Sequence, residues 1–172
     1  FVEIDNQGLY SLEGFDLLIL CSSSHGKLTT EQIDMAVEFV RGGGGLIVNY
    51  LGFSPGLRDA AWEALQKLGV AEVKVSTQPL SGSVTVSRSG GQILEHPITT
   101  DVDQVKADRS YPITEIMGMT QFIVGPFAAA ASEAGAGRLI VFGSGYSIAR
   151  EYSGLRLLCN AIEWVAGYTP PG

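Results

Sequence analysis

An apolar run, a capped helix and a second apolar run follow one another near the start of the chain and constrain its fold most. Residues 15–21 and residues 45–50 are short, apolar and suited to buried parallel strands. Between them, Thr29 and Gln32 form a capping-box pattern, and glycines after Arg41 predict the helix end, because glycine accepts the left-handed C′ conformation. This order predicts a right-handed βαβ unit and therefore an α/β fold.

A second helix is predicted soon after the second apolar run. Ser54 and Pro55 supply an N-cap and a proline at the first helical position, and Gly69 ends the helix. Its apolar face comprises Leu57, Ala61, Ala64, Leu65 and Leu68. This helix completes another βα step of the fold.

The middle of the chain carries weaker signals. Residues 72–75 and residues 83–87 alternate in polarity, which predicts a small hairpin or edge structure. Residues 89–119 are rich in Gly, Pro, Thr and Asp and are expected to form a long ordered excursion over one end of the sheet. Such excursions often carry binding or lid elements.

Two strands and a helix are predicted in the C-terminal third. Residues 121–131 form one strand and residues 138–143 another, and the small-residue turn between them predicts an antiparallel pair. The last helix is expected to begin near Ser153 and to end at Gly167. Its predicted buried face comprises Leu155, Leu158, Cys159, Ile162 and Val165. No repeat or low-complexity linker divides residues 1–172, which are predicted to form a single domain.

Charge and hydropathy argue against two classes of partner. The net charge is −7, and the 11 Lys and Arg residues are scattered, so nucleic acid is not expected to bind. No apolar run approaches the roughly 20 residues needed to cross a bilayer, so membrane insertion is not expected. The sequence opens on Phe1 rather than methionine, which indicates a processed product, an excised domain or a fragment, and it leaves localisation open.

The two cysteines and two histidines indicate neither a disulfide framework nor a metal centre. Cys21 stands at a strand end and Cys159 inside the last predicted helix, where buried free thiols are common, although a disulfide between them stays open. His25 and His96 have no further ligands at a recognisable metal-binding spacing. The glycines at 42–45 follow a helix rather than opening one, so they do not form a phosphate loop. We expect no metal and no cofactor.

Several short motifs extend over most of the chain. The runs LEGFDLLIL, LTTEQ, FVR and GGGGLIV occupy residues 12–20, 28–32, 39–41 and 42–48. EHPIT, GRLIVFG and LCNAIEW occupy residues 95–99, 137–143 and 158–164. Together these motifs resemble those of divergent members of the class I glutamine amidotransferase-like superfamily. These members include the trehalose-utilisation ThuA-like proteins, the gliding-motility auxiliary domains and the channel-associated factor proteins.

The resemblance implies a flavodoxin-like three-layer α/β domain with a mostly parallel sheet and an antiparallel strand pair near the C-terminus. Members of the superfamily usually open with a central strand and a helix before the strand that residues 1–5 would represent here. That first βα unit is missing from this sequence. Its loss would expose the middle of the sheet, so we expect either a trimmed fragment or another segment that fills the gap.

The resemblance does not extend to catalysis. Catalytic members place a cysteine on a tight turn between strand and helix, where the helix dipole and a nearby histidine favour the thiolate. The corresponding residues 49–53 include no cysteine, serine or threonine, and Ser54 precedes a proline, which fits it for helix capping. A catalytic triad cannot be carried over to this chain.

Cys21 is the sharpest alternative nucleophile. It ends an apolar strand at the carboxyl edge of the sheet, where doubly wound folds bind ligands, and His25 or His96 would serve as its base. Nothing in the sequence orients an imidazole toward the sulfur, so we expect a packed strand-end thiol instead. His96, which precedes Pro97, is expected to organise its loop through a bond between its ring and the backbone.

The expected function is that of a non-catalytic module that binds a protein partner, other domains of the same polypeptide or a small sugar-like ligand. Gly143, Ser144 and Gly145 could form a backbone nest, a concave set of amides, or a turn that permits close packing. The expected contact surface comprises Ser22, Ser23, Ser24, His25, Tyr50, Gly52, Ser54, His96, Gly143, Ser144 and Tyr146. The alternative is a cysteine-dependent hydrolase or amidotransferase-like enzyme that uses Cys21 with His25 or His96.

Overall fold

The structure is a computed structural model, and it describes residues 11–20, 28–49, 61, 63–69, 74–76, 80, 82–108, 111–116, 120–143 and 151–168. The helices are α1 (Thr30–Arg41), α2 (residues 63–67) and α3 (Tyr152–Val165), and Pro97–Thr99 forms a single 3₁₀ turn. The strands are β1 (Leu17–Leu20), β2 (Gly45–Asn49), β3 (Lys74–Val75), β4 (Ser83–Ser87), β5 (Gln104–Asp108), β6 (Ile113–Glu115), β7 (Thr120–Val124), β8 (Ala128–Ala134) and β9 (Gly137–Phe142). Within these ranges no helix is long and apolar enough to cross a membrane.

A five-stranded sheet in the order β1-β2-β9-β8-β7 organises the domain. β1 pairs with β2 and β2 with β9 in parallel, with Leu18 opposite Leu46 and Ile47 opposite Ile140. β8 pairs antiparallel with β9, and β7 pairs antiparallel with β8. The predicted βαβ unit and the predicted antiparallel pair near the C-terminus are both confirmed, and the fold is a mixed α/β fold.

The predicted single strand over residues 121–131 is wrong, because the chain turns back on itself inside it. Gly125 adopts a φ of +44°, and the amide of Phe127 donates to the carbonyl of Val124 at 2.9 Å, so β7 and β8 form a hairpin. A φ in this range favours glycine over residues that carry a Cβ. The residues on both sides of the turn are mostly apolar, so the sequence reads as one continuous strand and does not reveal the turn.

The predicted hairpin between residues 72–75 and residues 83–87 is also wrong. β3 pairs antiparallel with β6, and β4 pairs antiparallel with β5. Both partners lie in the excursion predicted over residues 89–119, which is therefore more regular than its composition indicates. Pairing between strands that lie far apart in sequence leaves no local turn signal.

Local signals at both ends of α1 act as predicted. The Thr29 hydroxyl accepts from the amide of Gln32, and the Gln32 side chain accepts from the amide of Thr29. At the other end Gly43 has a φ of +111°, its amide donates to the carbonyl of Val40, and the amide of Gly44 donates to the carbonyl of Phe39. These paired bonds form a Schellman motif. For α2, the described part of the predicted apolar face, from Ala61 to Leu68, is buried as expected.

The sheet is covered on both faces, which gives three layers. Side chains alternate along β2, so that Leu46 and Val48 pack with α1 and α2, while Ile47 packs on the opposite face with α3. A parallel strand whose two faces are both buried is expected to be apolar throughout, as β2 is.

The predicted buried face of α3 is wrong except at Val165, which is buried as expected. The buried residues of the helix are Gly154, Leu157, Asn160, Ala161, Trp164 and Val165. Leu155, Cys159 and Ile162 are exposed instead, and Leu158 is only partly buried. Apolar residues occur on all sides of this helix, so their spacing alone does not select a face. Close approach at the C-terminal end helps to select it, because a Cβ on Gly45 would overlap the backbone carbonyl of Val165.

Replacing Thr29 with alanine removes the cap of α1. We expect Thr29→Ala to lower the free energy of unfolding by about 1 kcal/mol, because the amide of Gln32 loses its acceptor. Urea unfolding followed by circular dichroism measures the change. Thr30→Ala is the matched control, since Thr30 is also exposed but is the first helical residue. Equal losses in the two variants would contradict the capping role.

Candidate functional site

Gly143 lies directly after β9, at the carboxyl end of that strand. Its amide donates to the carbonyl of Phe127 and its carbonyl accepts from the amide of Tyr111, both at 2.8 Å. A Cβ at this position would overlap the backbone oxygen of Tyr111. The amide of Gly143 is therefore already used within the fold, which favours the close-packing interpretation over a backbone nest at this residue.

His96 caps the 3₁₀ turn of residues 97–99. Its Nδ1 accepts from the amide of Ile98 at 3.3 Å, and its own amide donates to the Thr99 hydroxyl at 3.1 Å. That hydroxyl, which is fully buried, donates to the carbonyl of Leu94 at 2.6 Å. The ring bonds the backbone, as expected for a residue that organises its loop.

The loop of residues 96–101 runs along α3 and contacts it once per helical turn. Arg156 Nη2 lies 3.4 Å from Asp101 Oδ2. Asn160 Nδ2 donates to the carbonyls of Ile98 and Thr100 at 3.1 and 2.8 Å. One turn further on, the Trp164 ring meets the His96 ring edge to face, with 4.8 Å between the ring centroids. The three helix residues are spaced four apart and therefore share one face.

Burial lowers the pKa of His96, and the nearby Arg138 guanidinium adds a smaller lowering in the same direction. Arg138 Cζ lies 5.3 Å from the centroid of the Trp164 ring, and its Nη1 donates to the Trp164 carbonyl at 2.9 Å. Both effects favour the neutral imidazole, because desolvation and a like charge each disfavour the protonated form. At neutral pH the ring serves as an acceptor and a packing surface.

The two described members of the predicted contact surface lie at opposite ends of the sheet. The chain enters β9 near Arg138, which is paired with Gly45 at the start of β2, and leaves it at Gly143. Five residues of strand separate Arg138 from Gly143, which corresponds to about 16 Å. His96 is therefore grouped with the amino ends of the strands and Gly143 with the carboxyl ends.

This separation bears on the alternative pairing of Cys21 with His96. β1 ends at Leu20, which is paired with Val48 near the carboxyl end of β2. The His96 imidazole is held near Trp164 and Arg138, at the amino ends. Cys21 lies outside the described residues, so its pairing with His96 stays a prediction.

The other predicted site residues lie outside the described part of the chain. They are Cys21, Ser22, Ser23, Ser24, His25, Tyr50, Gly52, Ser54, Ser144 and Tyr146. Among the described residues, no group of three or more His, Cys, Asp or Glu side chains could hold a metal ion.

A depression that the sequence analysis missed lies at the amino end of the parallel strands. Its volume is about 340 Å³, and Asp16, Phe39 and Ala166 line it together with the glycines at 42–44. The run of glycines at 42–44 could have predicted this depression, because residues without side chains leave open space beside the end of a helix. The outer face of α3, which ends at this depression, was missed as well, because the spacing of its apolar residues predicted that they would be buried.

Asn160 is the residue on which the contact between α3 and the loop of residues 96–101 depends. We expect Asn160→Leu to lower the free energy of unfolding by about 2 kcal/mol, because two backbone carbonyls lose their donor. Urea unfolding monitored by tryptophan fluorescence measures it. Cys159→Ser, one residue away on the exposed side, should change stability by less than about 0.5 kcal/mol. Matching losses would show that the amide bonds contribute nothing.

The lowered pKa of His96 predicts a loss of stability in acid. As pH falls below the usual histidine pKa of about 6.5, the unfolded state takes up a proton before the folded state does, so stability declines until the folded-state pKa is passed. His96→Asn keeps an acceptor for the turn but does not titrate. We expect the urea midpoint of the wild type to fall more than that of His96→Asn between about pH 7.5 and about pH 5. If the urea midpoints of the two proteins fall equally with pH, the pKa of His96 is not lowered in the folded state.

Comparison with known proteins gives a fold and no family. No protein-family model matches the chain, and no curated protein matches its sequence. Among solved structures, the N-terminal domain of mmIFT52 superposes with a TM-score of 0.61 at 16% identity, covering 90% of this chain and 79% of that domain. A protein described as ThuA-like from Bacteroides uniformis superposes with a TM-score of 0.57 at 16% identity, covering 87% of this chain and 69% of that one. The structural neighbours of this chain thus include a ThuA-like protein of the class I glutamine amidotransferase-like fold.

Proposed function

We propose that this chain is a non-catalytic binding module with an amidotransferase-like fold, which works within a larger protein and binds a protein partner or a small sugar-like ligand. The proposal assigns the contact to the carboxyl ends of β1 and β2 and to the segments that follow them. These segments contain Ser22, Ser23, Ser24, His25, Tyr50, Gly52 and Ser54. Gly143, Ser144 and Tyr146 would border the same edge after β9.

The observation that carries the proposal is that the His96 side chain is already engaged in contacts within the fold. Its Nδ1 accepts from the amide of Ile98, its ring packs on Trp164, and its pKa is lowered by burial. A general base must reach the proton that it removes, whereas this imidazole is engaged in a loop at the other end of the sheet. These contacts support a folding role for the HPIT motif of residues 96–99.

Two further points support a binding role. Residues 49–53 include no cysteine, serine or threonine, and this is the stretch that corresponds in sequence to the nucleophile position of catalytic members of the superfamily that this chain resembles. One structural neighbour, mmIFT52, is represented by its N-terminal domain, so a domain of similar shape is part of a larger protein there. The likeness is one of fold, and we extend it to this chain only as a proposal.

The reactivity of the Cys21 thiol tests the non-catalytic assignment. Cys159 is exposed, so it would compete for reagent, and Cys159→Ser leaves Cys21 as the only thiol. We expect iodoacetamide to modify Cys21 in this variant with a pH midpoint at or above that of an ordinary thiol, about 8.5. Peptide mass spectrometry after short pulses between about pH 5 and about pH 9 gives the midpoint.

Cys159 in the wild type supplies the internal reference for this experiment, since it is an exposed thiol on a helix surface. A Cys21 midpoint more than about one unit below that of Cys159 would mark a stabilised thiolate. That result would overturn the non-catalytic assignment and favour a cysteine-dependent enzyme, with His25 as the base to replace next.

A further inference from the structure

The side of α3 that faces solvent is apolar. Tyr152, Leu155, Cys159 and Ile162 follow one another at steps of three and four residues, so they form one stripe along the helix, here called the outer stripe. Tyr152 is 81% exposed, Leu155 50% and Ile162 36%. The opposite face of the same helix packs on the sheet. A helix that is apolar on both faces is typical of one covered from both sides.

The outer stripe continues into the depression at the amino end of the parallel strands. Ala166, four residues beyond Ile162, lies on the same side of the helix and lines the depression together with Asp16 and Phe15. The C-terminal ends of α1 and α3 both meet there, at Gly42 and Ala166. Arg138 already donates to the Trp164 carbonyl at the C-terminus of α3, so the Asp16 carboxylate is the group that favours a cation at this end of the stripe.

The charges that flank the outer stripe are mainly acidic. Glu163 is exposed beside Ile162, and Glu151 precedes the helix. Arg156, which borders the stripe from the face that contacts the loop of residues 96–101, lies 3.4 Å from Asp101 Oδ2, which offsets its charge. Lys106 lies 3.7 Å from Glu151, so that carboxylate is partly neutralised. With a net charge of −7 on the whole chain, the surface attracts a basic partner.

We propose that the outer stripe is the docking surface for an amphipathic helix of a protein partner, whose apolar face is flanked by Lys and Arg. The proposal rests on the binding role proposed above and names the partner class for it, at a surface other than the carboxyl edge. Leucine-like side chains of the partner pack between Leu155 and Ile162, and one of its basic side chains reaches Asp16 in the depression. Helices that bind in this way use anchors at i, i+3, i+4 and i+7.

A second copy of the chain fits this surface less well. Two copies would bring together surfaces of the same sign, which costs free energy at close range. A basic helix satisfies both the apolar stripe and its acidic surroundings.

Two synthetic helical peptides test the proposal with the full chain. Both carry leucine at the a and d positions of each heptad, and one has lysine at the flanking positions where the other has glutamate. We expect fluorescence anisotropy to show binding of the lysine peptide at least about tenfold tighter than binding of the glutamate peptide. Leu155→Ser combined with Ile162→Ser should weaken the lysine peptide by about tenfold or more, because both anchors are lost.

Leu94→Ser is the matched control, since Leu94 is 48% exposed but lies outside α3. It should leave binding of the lysine peptide unchanged. Asp16→Asn combined with Glu163→Gln should reduce the preference for lysine over glutamate while leaving the apolar contacts in place. Because all these positions are exposed, the variants are expected to fold, and thermal melting verifies this.

Equal binding of the two peptides, or equal loss in the Leu94 and Leu155/Ile162 variants, would overturn the docking surface. Concentration-dependent self-association that Leu155→Ser abolishes would overturn it in favour of a second copy. Either result leaves the binding role at the carboxyl edge intact, provided that Cys21 titrates as an ordinary thiol. A stabilised Cys21 thiolate would instead refute the non-catalytic role, whichever peptide binds.

Discussion

The side-chain amide of Asn160 connects the long central segment of the chain to its last helix. It is 3% exposed, and its Nδ2 donates to two backbone carbonyls, those of Ile98 and Thr100. Carbonyls held against a helix in the interior cost free energy unless a donor reaches them. Ile98 and Val102, on the same segment, are fully buried in the core beside α3. The position of this segment, the packing of its core residues and the inward face of α3 therefore depend on one another.

The parts of the fold that could be predicted from sequence are those set by short-range interactions. Thr29 and Gln32 lie three residues apart and cap each other, and Gly43 takes the left-handed conformation that ends α1. β1 and β2 are apolar because both of their faces are covered, and that property is visible in a run of four or five residues. These signals predicted the βαβ unit, α2 and the general course of the C-terminal strands.

Long-range choices could not be predicted in the same way. β4 pairs with β5 across the 3₁₀ turn, and β3 pairs with β6, although alternation in the sequence had suggested that β3 and β4 pair with each other. The inward face of α3 is set by the hydrogen bonds of Asn160 and by the absence of a side chain on Gly45. Neither feature is visible in the spacing of apolar residues. For the site, His96 was correctly expected to bond the backbone, but its position near Trp164 and Arg138 depends on contacts between residues far apart in sequence.

The placement of Gly143 narrows the region in which a ligand could contact the carboxyl edge. At the end of β9 the backbone of Gly143 is already engaged, because its carbonyl accepts from the amide of Tyr111 and its amide donates to the carbonyl of Phe127. Doubly wound folds bind ligands beyond the carboxyl ends of their strands, where neighbouring connections diverge. Because the backbone of Gly143 is engaged in this way, the proposed contact is centred on the segments that follow β1 and β2, and Gly143 borders it. The outer stripe of α3 runs toward the amino ends of the strands, away from this edge. A partner bound to the stripe would therefore not compete for the carboxyl edge.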